Sequence, residues 1–225
     1  SYNCCVANTS TFLPVSGDPR DLNYGYTDDH FDTKLVINGA TPTWKGFTLG
    51  AKVVGQGGTR YSLKVNSNTS ANGDFNLSND IAYVYDPNDP STPQTIIDGY
   101  NKILNDPETT EGFKTYLKES YGGFAERNGG KNPFYAVVDL RLIKRFELSN
   151  KKHGFELSVD IFNFANMLDK EWGVSHNYGN QNLMSITGFN QNTLSYDYSV
   201  QTASGREPVN GTPWRLQLGL RYTFN

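Results

Sequence analysis

Charged residues recur at alternate positions in two neighbouring stretches: Asp139, Arg141, Arg145 and Glu147 in the first, Glu156 and Asp160 in the second. Residues two apart share one face of an extended chain. The set could form a charge ladder between adjacent strands, or supply a carboxylate pair for acid–base chemistry. Residues lining a water-filled interior give the same pattern without catalysis. Asp86-Pro87-Asn88-Asp89-Pro90 offers oxygen ligands suited to Ca²⁺, but the spacing is not that of an EF-hand and the prolines indicate a turn. Asn128-Gly129-Gly130 also predicts a turn. Cys4 and Cys5 are neighbours, too close for an unstrained disulfide. His30, His153 and His176 are scattered and complete no obvious metal set with them. The sequence carries no nucleophile elbow, zinc-protease helix, P-loop or dinucleotide fingerprint. Neither a cofactor nor an enzymatic activity is expected.

Composition narrows the class. Hydrophobic residues make up 36% of the chain, aromatic residues 13%, and 22 of the 225 residues are Gly. Tyr and Phe favour strands, and Gly and Asn favour turns. The net charge of −3 argues against a nucleic-acid partner. No run of apolar residues is long enough for a transmembrane helix. The opening Ser1-Tyr2-Asn3, without Met or leader, is what a mature product or an excised piece would show.

Alternation with period two predicts strands near 31–39, 47–65, 135–148, 155–164 and 213–224. In the last, Trp214, Leu216, Leu218 and Leu220 fall on one face, which ends in Tyr222 and Phe224. Arg215, Gln217 and Arg221 fall on the other. The fourth sets Leu157, Val159 and Ile161 against Glu156 and Asp160, with Phe162 and Phe164 breaking the pattern near its end. The third sets Val138, Leu140 and Leu142 against Asp139 and Arg141, blemished by Ile143 and Lys144. A soluble antiparallel sheet also has one wet face, so alternation by itself leaves the solvent on the apolar side open.

The connections bear on that choice. Short links at 40–46 and 149–154 alternate with long stretches at 66–133 and 165–212. Tight periplasmic turns and large extracellular loops follow this rule in outer-membrane barrels, whereas compact sandwiches rarely carry two such loops. The expected fold is therefore all-β: about five antiparallel transmembrane strands, with long outer loops containing short helices. Ile96, Ile97, Tyr100, Ile103 and Leu104 stand at helical spacing after a cap expected at Ser91, and Phe113, Tyr116, Leu117 and Tyr121 do so again. They predict a helical pair packed over the barrel mouth. Tyr83, Tyr85, Tyr178, Phe189, Tyr196 and Tyr198 are candidate surface-ligand residues of the loops, suited to sugars, peptides or lipid headgroups.

Several segments resemble, in order, the end of Oar-like TonB-dependent receptors of the Bacteroidetes type. They are Arg127-Asn128-Gly129-Gly130-Lys131-Asn132-Pro133, Val138-Asp139-Leu140-Arg141, Leu157-Ser158-Val159-Asp160-Ile161-Phe162-Asn163, Trp172-Gly173-Val174 and Pro213 to Phe224. Ser16 to Leu22 resembles the region before the fifth strand from the end. The resemblance spans essentially the whole chain and is densest over 127–225. It implies a bacterial outer-membrane protein, the C-terminal part of a barrel of about 22 strands closed by a plug. Its implied partners are outer-membrane lipid, the remaining barrel and plug, TonB acting through the missing N-terminal part, the barrel-assembly machinery and other outer-membrane subunits. The last strand resembles an assembly signal, carried by Tyr222 and Phe224. The chain departs from the family in lacking plug, TonB box and most of the barrel, and in ending Phe224-Asn225 rather than on the aromatic residue. Five strands cannot close a barrel with a lumen.

Three functions fit these features. The first is a substrate-import receptor in which Leu157, Val159, Ile161, Trp214, Leu216, Leu218 and Leu220 face lipid, while Asp139, Arg141, Glu156, Asp160, Arg215, Gln217 and Arg221 face the lumen. The second is a structural or accessory barrel subunit of a larger outer-membrane assembly. The third is a soluble β-sandwich binding module.

Overall fold

In a computed structural model of the chain, the described residues are 15–18, 24–27, 29–66, 68–147, 153–206, 211 and 213–224. Expectations for Cys4, Cys5, residues 19–22 and the turn at 149–152 lie outside them. The strands are β1 (Lys34–Ala40), β2 (Phe47–Gln56), β3 (Arg60–Tyr61), β4 (Leu63–Asn66), β5 (Tyr83–Val84), β6 (Gly123–Phe124), β7 (Gly130–Lys131), β8 (Tyr135–Glu147), β9 (His153–Phe162), β10 (Gln181–Asn190), β11 (Ser195–Val200) and β12 (Arg215–Phe224). The helices are α1 (Gln94–Asn105), α2 (Glu111–Glu119) and α3 (Phe164–Leu168). The fold is mostly antiparallel β-sheet with few helices. Among the described residues no helix is long and apolar enough to cross a membrane, which says nothing about crossing by strands.

The chain divides into two compact units: Ser1–His30, Thr59–Asn132 and Asn177–Pro208 in one, Phe31–Gly58, Pro133–His176 and Val209–Asn225 in the other. The second, the sheet unit, contains one five-stranded sheet in the order β1-β2-β8-β9-β12, every pair antiparallel. Its register puts like residues side by side. Leu49 meets Leu142, Leu142 meets Val159, and Val159 meets Leu218. Ile161 meets Leu140 and Leu216, and Leu220 meets Leu157. Because side chains alternate, these pairs form one continuous apolar face. Arg141, Asp160 and Gln217 line up on the opposite face, as do Arg145, Glu156 and Arg221. The sheet does not close on itself among the described residues.

Local chemistry explains the first turn and the blemish at Lys144. Lys45 and Gly46 both have positive φ, and Trp44 and Phe47 exchange backbone hydrogen bonds of 2.9 and 2.8 Å across them. This is a two-residue hairpin loop whose twist matches that of the strands, tighter than the link expected at 40–46. Lys144 falls on the apolar face, but its ammonium reaches back to donate to the Lys45 carbonyl at 2.6 Å and lies 4.0 Å from the Phe47 ring centre. A long side chain can lay its methylenes along apolar surface while its charge escapes to the edge.

The long stretches are not loops decorated with a helical pair. Their residues 66–132 and 177–208 belong to the other unit, the loop unit, which has its own core. Ile96, Tyr100 and Ile103 of α1 and Phe113, Tyr116 and Leu117 of α2 are buried there with Tyr61, Leu63, Val65, Leu183 and Met184. β10 pairs antiparallel with β11 and parallel with β4, so the end of the expected 47–65 strand joins the second long stretch in one sheet. The strand expected over 47–65 therefore ends at Gln56, and the chain passes through Gly57 and Gly58 before β3 and β4. The alternation continues because Tyr61, Leu63 and Val65 turn into the loop-unit core. α1 is capped differently from expectation: Pro93 occupies the cap position without a side-chain bond, while the Ser91 hydroxyl donates to Asp89 at 2.8 Å. α2 has the expected kind of polar cap, Thr110, whose hydroxyl oxygen accepts the Phe113 N–H.

Candidate ligand-binding site

The richest assembly of side chains lies within the loop unit. Pairing of β5 with β6 sets Tyr83 opposite Phe124. Ala82 and Val84 point into the core, so the intervening Tyr83 and the following Tyr85 turn the other way. β11 brings Tyr198 and Tyr196 alongside, the latter opposite Phe189 of β10. The result is a continuous aromatic track. Ring centres are separated by 5.4 Å from Phe124 to Tyr83, 5.3 Å to Tyr85, 6.5 Å to Tyr198, 6.5 Å to Tyr196 and 5.4 Å to Phe189. Most of these pairs are edge-to-face, the arrangement favoured by the ring quadrupoles.

A cavity of about 580 Å³ opens beside the first part of this track, within the roughly 300–1,000 Å³ of small-molecule sites. Tyr83, Tyr85, Phe124 and Tyr198 line it together with Asn72 and Asp80. The polar pair comes from a run rich in Asn, Ser and Asp. There Ser70, Asn72, Asp74 and Asn76 take up neighbouring backbone N–H groups in consecutive tight turns. The Ala71 N–H donates to Asp80 Oδ2 at 2.8 Å. The other oxygen, Oδ1, is buried without a hydrogen-bond partner, although Asp80 is only 4% exposed. Asn72 Oδ1 accepts from the Ser70 hydroxyl and from the Asp74 N–H. Burial raises the Asp80 carboxyl above the ordinary aspartate range, and the charge of Asp74 adds to this. Asp74 goes the other way: hydrogen bonds from Asn79, Asn76, Ser70 and Asn72 outweigh its slight burial and hold it low. Burial likewise raises the Tyr85 and Tyr198 phenols, so both stay neutral donors.

Of the six loop aromatics expected at a surface site, Tyr83, Tyr85 and Tyr198 line the cavity, and Tyr196 and Phe189 continue the track. Tyr178 does not belong. It is 3% exposed, its ring packs 5.5 Å from that of Tyr61, and its hydroxyl donates to the Gly205 carbonyl at 3.0 Å. Its backbone N–H is taken by Asn132 Oδ1 at 2.8 Å, so it is a core residue held by the Asn132 amide. The turn at Asn128-Gly129-Gly130 serves the same core: Asn128 has a positive φ, and Cβ atoms on Gly129 or Gly130 would strike the rings of Tyr116 and Tyr61. Asn72, Asp80 and Phe124 were not foreseen as site residues. Asn72 and Asp80 are indistinguishable in sequence from ordinary turn formers, and Phe124 stands isolated after Gly122-Gly123.

In the sheet unit charged residues pair across neighbouring strands. Arg141 lies 3.2 Å from Asp160 and Arg145 2.7 Å from Glu156. Asp139 accepts the Asn163 N–H at 2.9 Å, where the chain leaves β9 in a left-handed conformation. Asn163 in turn donates to the Gly173 carbonyl at 3.0 Å, which brings Trp172-Gly173-Val174 to the end of the Leu157–Asn163 segment. Arg215 lies over the Phe162 ring. This accounts for the aromatic residue on the polar face. Asp86 and Asp89 each accept hydrogen bonds from the residue two positions on, which fits the turn reading of that segment. Among the described residues no group of three or more His, Cys, Asp or Glu side chains converges. No protein family, curated protein or solved structure matches the chain.

Proposed function

We propose that this chain is the C-terminal part of the barrel of a TonB-dependent outer-membrane receptor, which binds a substrate at the cell surface for energised uptake. One observation carries this reading. The apolar face of the five-stranded sheet is uncovered over its whole width, from Leu35 and Ile37 through Leu49, Leu142 and Leu157 to Leu218 at 67% and Leu220 at 74% exposure. Monomeric proteins in water rarely leave such a contiguous apolar patch. Hydrocarbon is a solvent that suits it, and the charged side chains on the reverse suit a wet lumen.

Strand dimensions agree with the reading. β2, β9 and β12 each have ten residues, and a tilted transmembrane strand needs about 9–11. Phe47, Phe146, Phe155 and Tyr222 gather at the end of the sheet that carries the Lys45–Gly46 turn, as interfacial aromatic girdles do. Tyr222 and Phe224 on the outermost strand fit an assembly signal, since an edge strand offers free backbone groups for strand addition. The remaining barrel strands would pair with β1 and β12. The plug, TonB, other outer-membrane subunits and the assembly machinery belong to the same proposal.

The reading requires the Lys45–Gly46 turn to be periplasmic and the loop unit to be outside. In a Cys4→Ser, Cys5→Ser background, a membrane-impermeant maleimide should label Asn88→Cys on whole cells. It should spare Lys45→Cys until the outer membrane is permeabilised. Equal or reversed labelling would overturn the proposal.

A further inference from the structure

Four aromatic rings wall the cavity beside the track, and their mutual angles decide its shape. The Tyr83 ring stands at 80° to that of Tyr85 and at 85° to that of Phe124, and Tyr85 stands at 57° to Tyr198. Rings turned through such angles make a concave corner and not a flat platform. A globular group fits a corner better than a planar one.

Charge selects further. An aromatic face is electron-rich, and a cation within about 6 Å of the ring centre is attracted to it. Elsewhere this chain supplies that cation itself. Lys34 lies over Phe31, Lys45 over Trp44, Arg60 over Tyr26, Lys144 over Phe47 and Arg215 over Phe162. Among the described residues no Lys or Arg lies over Tyr83, Tyr85, Phe124 or Tyr198. The cavity lining includes Asp18 and Asp80 but no Lys, Arg or His. Lys64, the cation that Asp80 does feel, stays outside the lining, where its ammonium donates to the Ser78 carbonyl.

These walls favour a cation over an anion, which ring faces and carboxylates would both oppose. They also choose among cations. Asp80 is only 4% exposed, so its charge acts on the cavity through space and not by a hydrogen bond to a ligand. A primary ammonium carries three N–H donors that need acceptors. A quaternary ammonium has none, is nearly spherical and spreads its charge over apolar methyl groups.

We propose that this cavity binds a quaternary ammonium group, its methyl surface against Tyr83, Tyr85, Phe124 and Tyr198 and its charge balanced by the ring faces and the nearby carboxylates. This deepens the receptor reading by naming a ligand class, and it rests on that reading only for where on the cell the cation is met.

The test uses the purified full chain in maltoside micelles and saturation-transfer NMR. The probes are choline and glycerophosphocholine, a free solute and a lipid headgroup with the same cation. Their controls are ethanolamine, a primary ammonium, and 3,3-dimethylbutan-1-ol, the uncharged carbon analogue of choline. At least one quaternary probe is expected to bind, and both controls to bind roughly fivefold or more weakly. Tyr83→Ala and Phe124→Ala remove partly exposed rings, so each should fold, and each should raise Kd roughly fivefold or more. Tyr83→Phe keeps the ring and should bind as the parent does. So should Phe75→Ala, at a ring 95% exposed and outside the lining. Tighter binding of choline would assign the site to a solute, and tighter binding of glycerophosphocholine to a headgroup; either supports the inference. Binding of neither quaternary probe, equal binding of either control, or affinity indifferent to both alanine variants would overturn it. Binding in micelles is independent of topology in cells, so its failure and a failure of the maleimide experiment are separately visible.

Discussion

Leucines on strands and helices of this chain live in two opposite environments. In the loop unit Leu63 and Leu117 are fully buried, among the aromatic rings of Tyr61, Phe113 and Tyr116. In the sheet unit Leu218 and Leu220 stand well out from the surface, and it is the carboxylates of Glu156 and Asp160 that are mostly covered. The loop unit is organised as a water-soluble domain, with apolar groups enclosed and turn-forming Asn, Ser and Asp outside. The sheet unit has the reverse arrangement, with leucines exposed on one face and carboxylates covered on the other. Under the proposed receptor reading the same residue type stabilises the two regions by different partners: other side chains in one, lipid in the other.

Substitutions that respect this difference should separate the units. The largest effect is expected from Leu117→Ala, about 2–5 kcal/mol for a cavity in a closed core. It should lower the denaturant midpoint followed by loop-unit tyrosine fluorescence while leaving the cold, heat-modifiable mobility of the sheet unchanged. A simultaneous loss of both signals would show that the units unfold as one.

Next in size is Leu218→Arg, which should cost about 2–4 kcal/mol when the side chain faces hydrocarbon. Gln217→Arg, on the charged face beside Asp160, should cost far less. Folded fractions after refolding into lipid vesicles measure the pair, and equal effects would contradict a lipid-facing Leu218.

A smaller change tests packing inside the loop unit. A Cβ on Gly99 of α1 would lie 2.5 Å from that of Val200 on β11, so the helix and strand touch only because the side chain is missing. Gly99→Ala should therefore destabilise by about 1–3 kcal/mol of overpacking, against the gain in helix propensity seen at exposed positions. A raised melting temperature would show that the contact is looser than the geometry indicates.

The smallest effect concerns Asp80. Its pKa is raised by burial and by Asp74 above the ordinary 3.8, so ionisation is harder in the folded state than in the unfolded chain. The stability associated with the neutral form is fully present below the unfolded pKa and is lost as pH rises through the folded value. Asp80→Asn should therefore raise the melting temperature of the loop unit at pH 7 and change it little at pH 3. An equal shift at both pH values would assign the effect to something other than ionisation.

Local patterning decided a good deal. Alternation identified all five strands of the large sheet, and the opposite faces of Leu216, Leu218 and Leu220 and of Arg215, Gln217 and Arg221 follow from a period of two wherever the strand is regular. Helical spacing likewise marked Ile96, Tyr100 and Ile103, and Phe113, Tyr116 and Leu117, because a 3.6-residue period needs no knowledge of the partner surface. What alternation could not show was which core a strand enters. Phe47 to Val65 keeps one parity throughout, yet Leu49 and Val53 belong to the sheet while Tyr61 and Leu63 belong to the loop unit. The change is made by the backbone at Gly57 and Gly58 and not by any change in side-chain character. Strands β10 and β11 were missed for a related reason: Leu183 and Met184 are adjacent and both buried, which breaks the two-residue signal, and the register itself shifts within β10. The candidate site depended most on tertiary structure. Tyr83, Phe124 and Tyr198 are separated by long stretches of chain, and Asp80 is distinguished from its neighbouring turn residues only by the burial that leaves one of its oxygens without a partner.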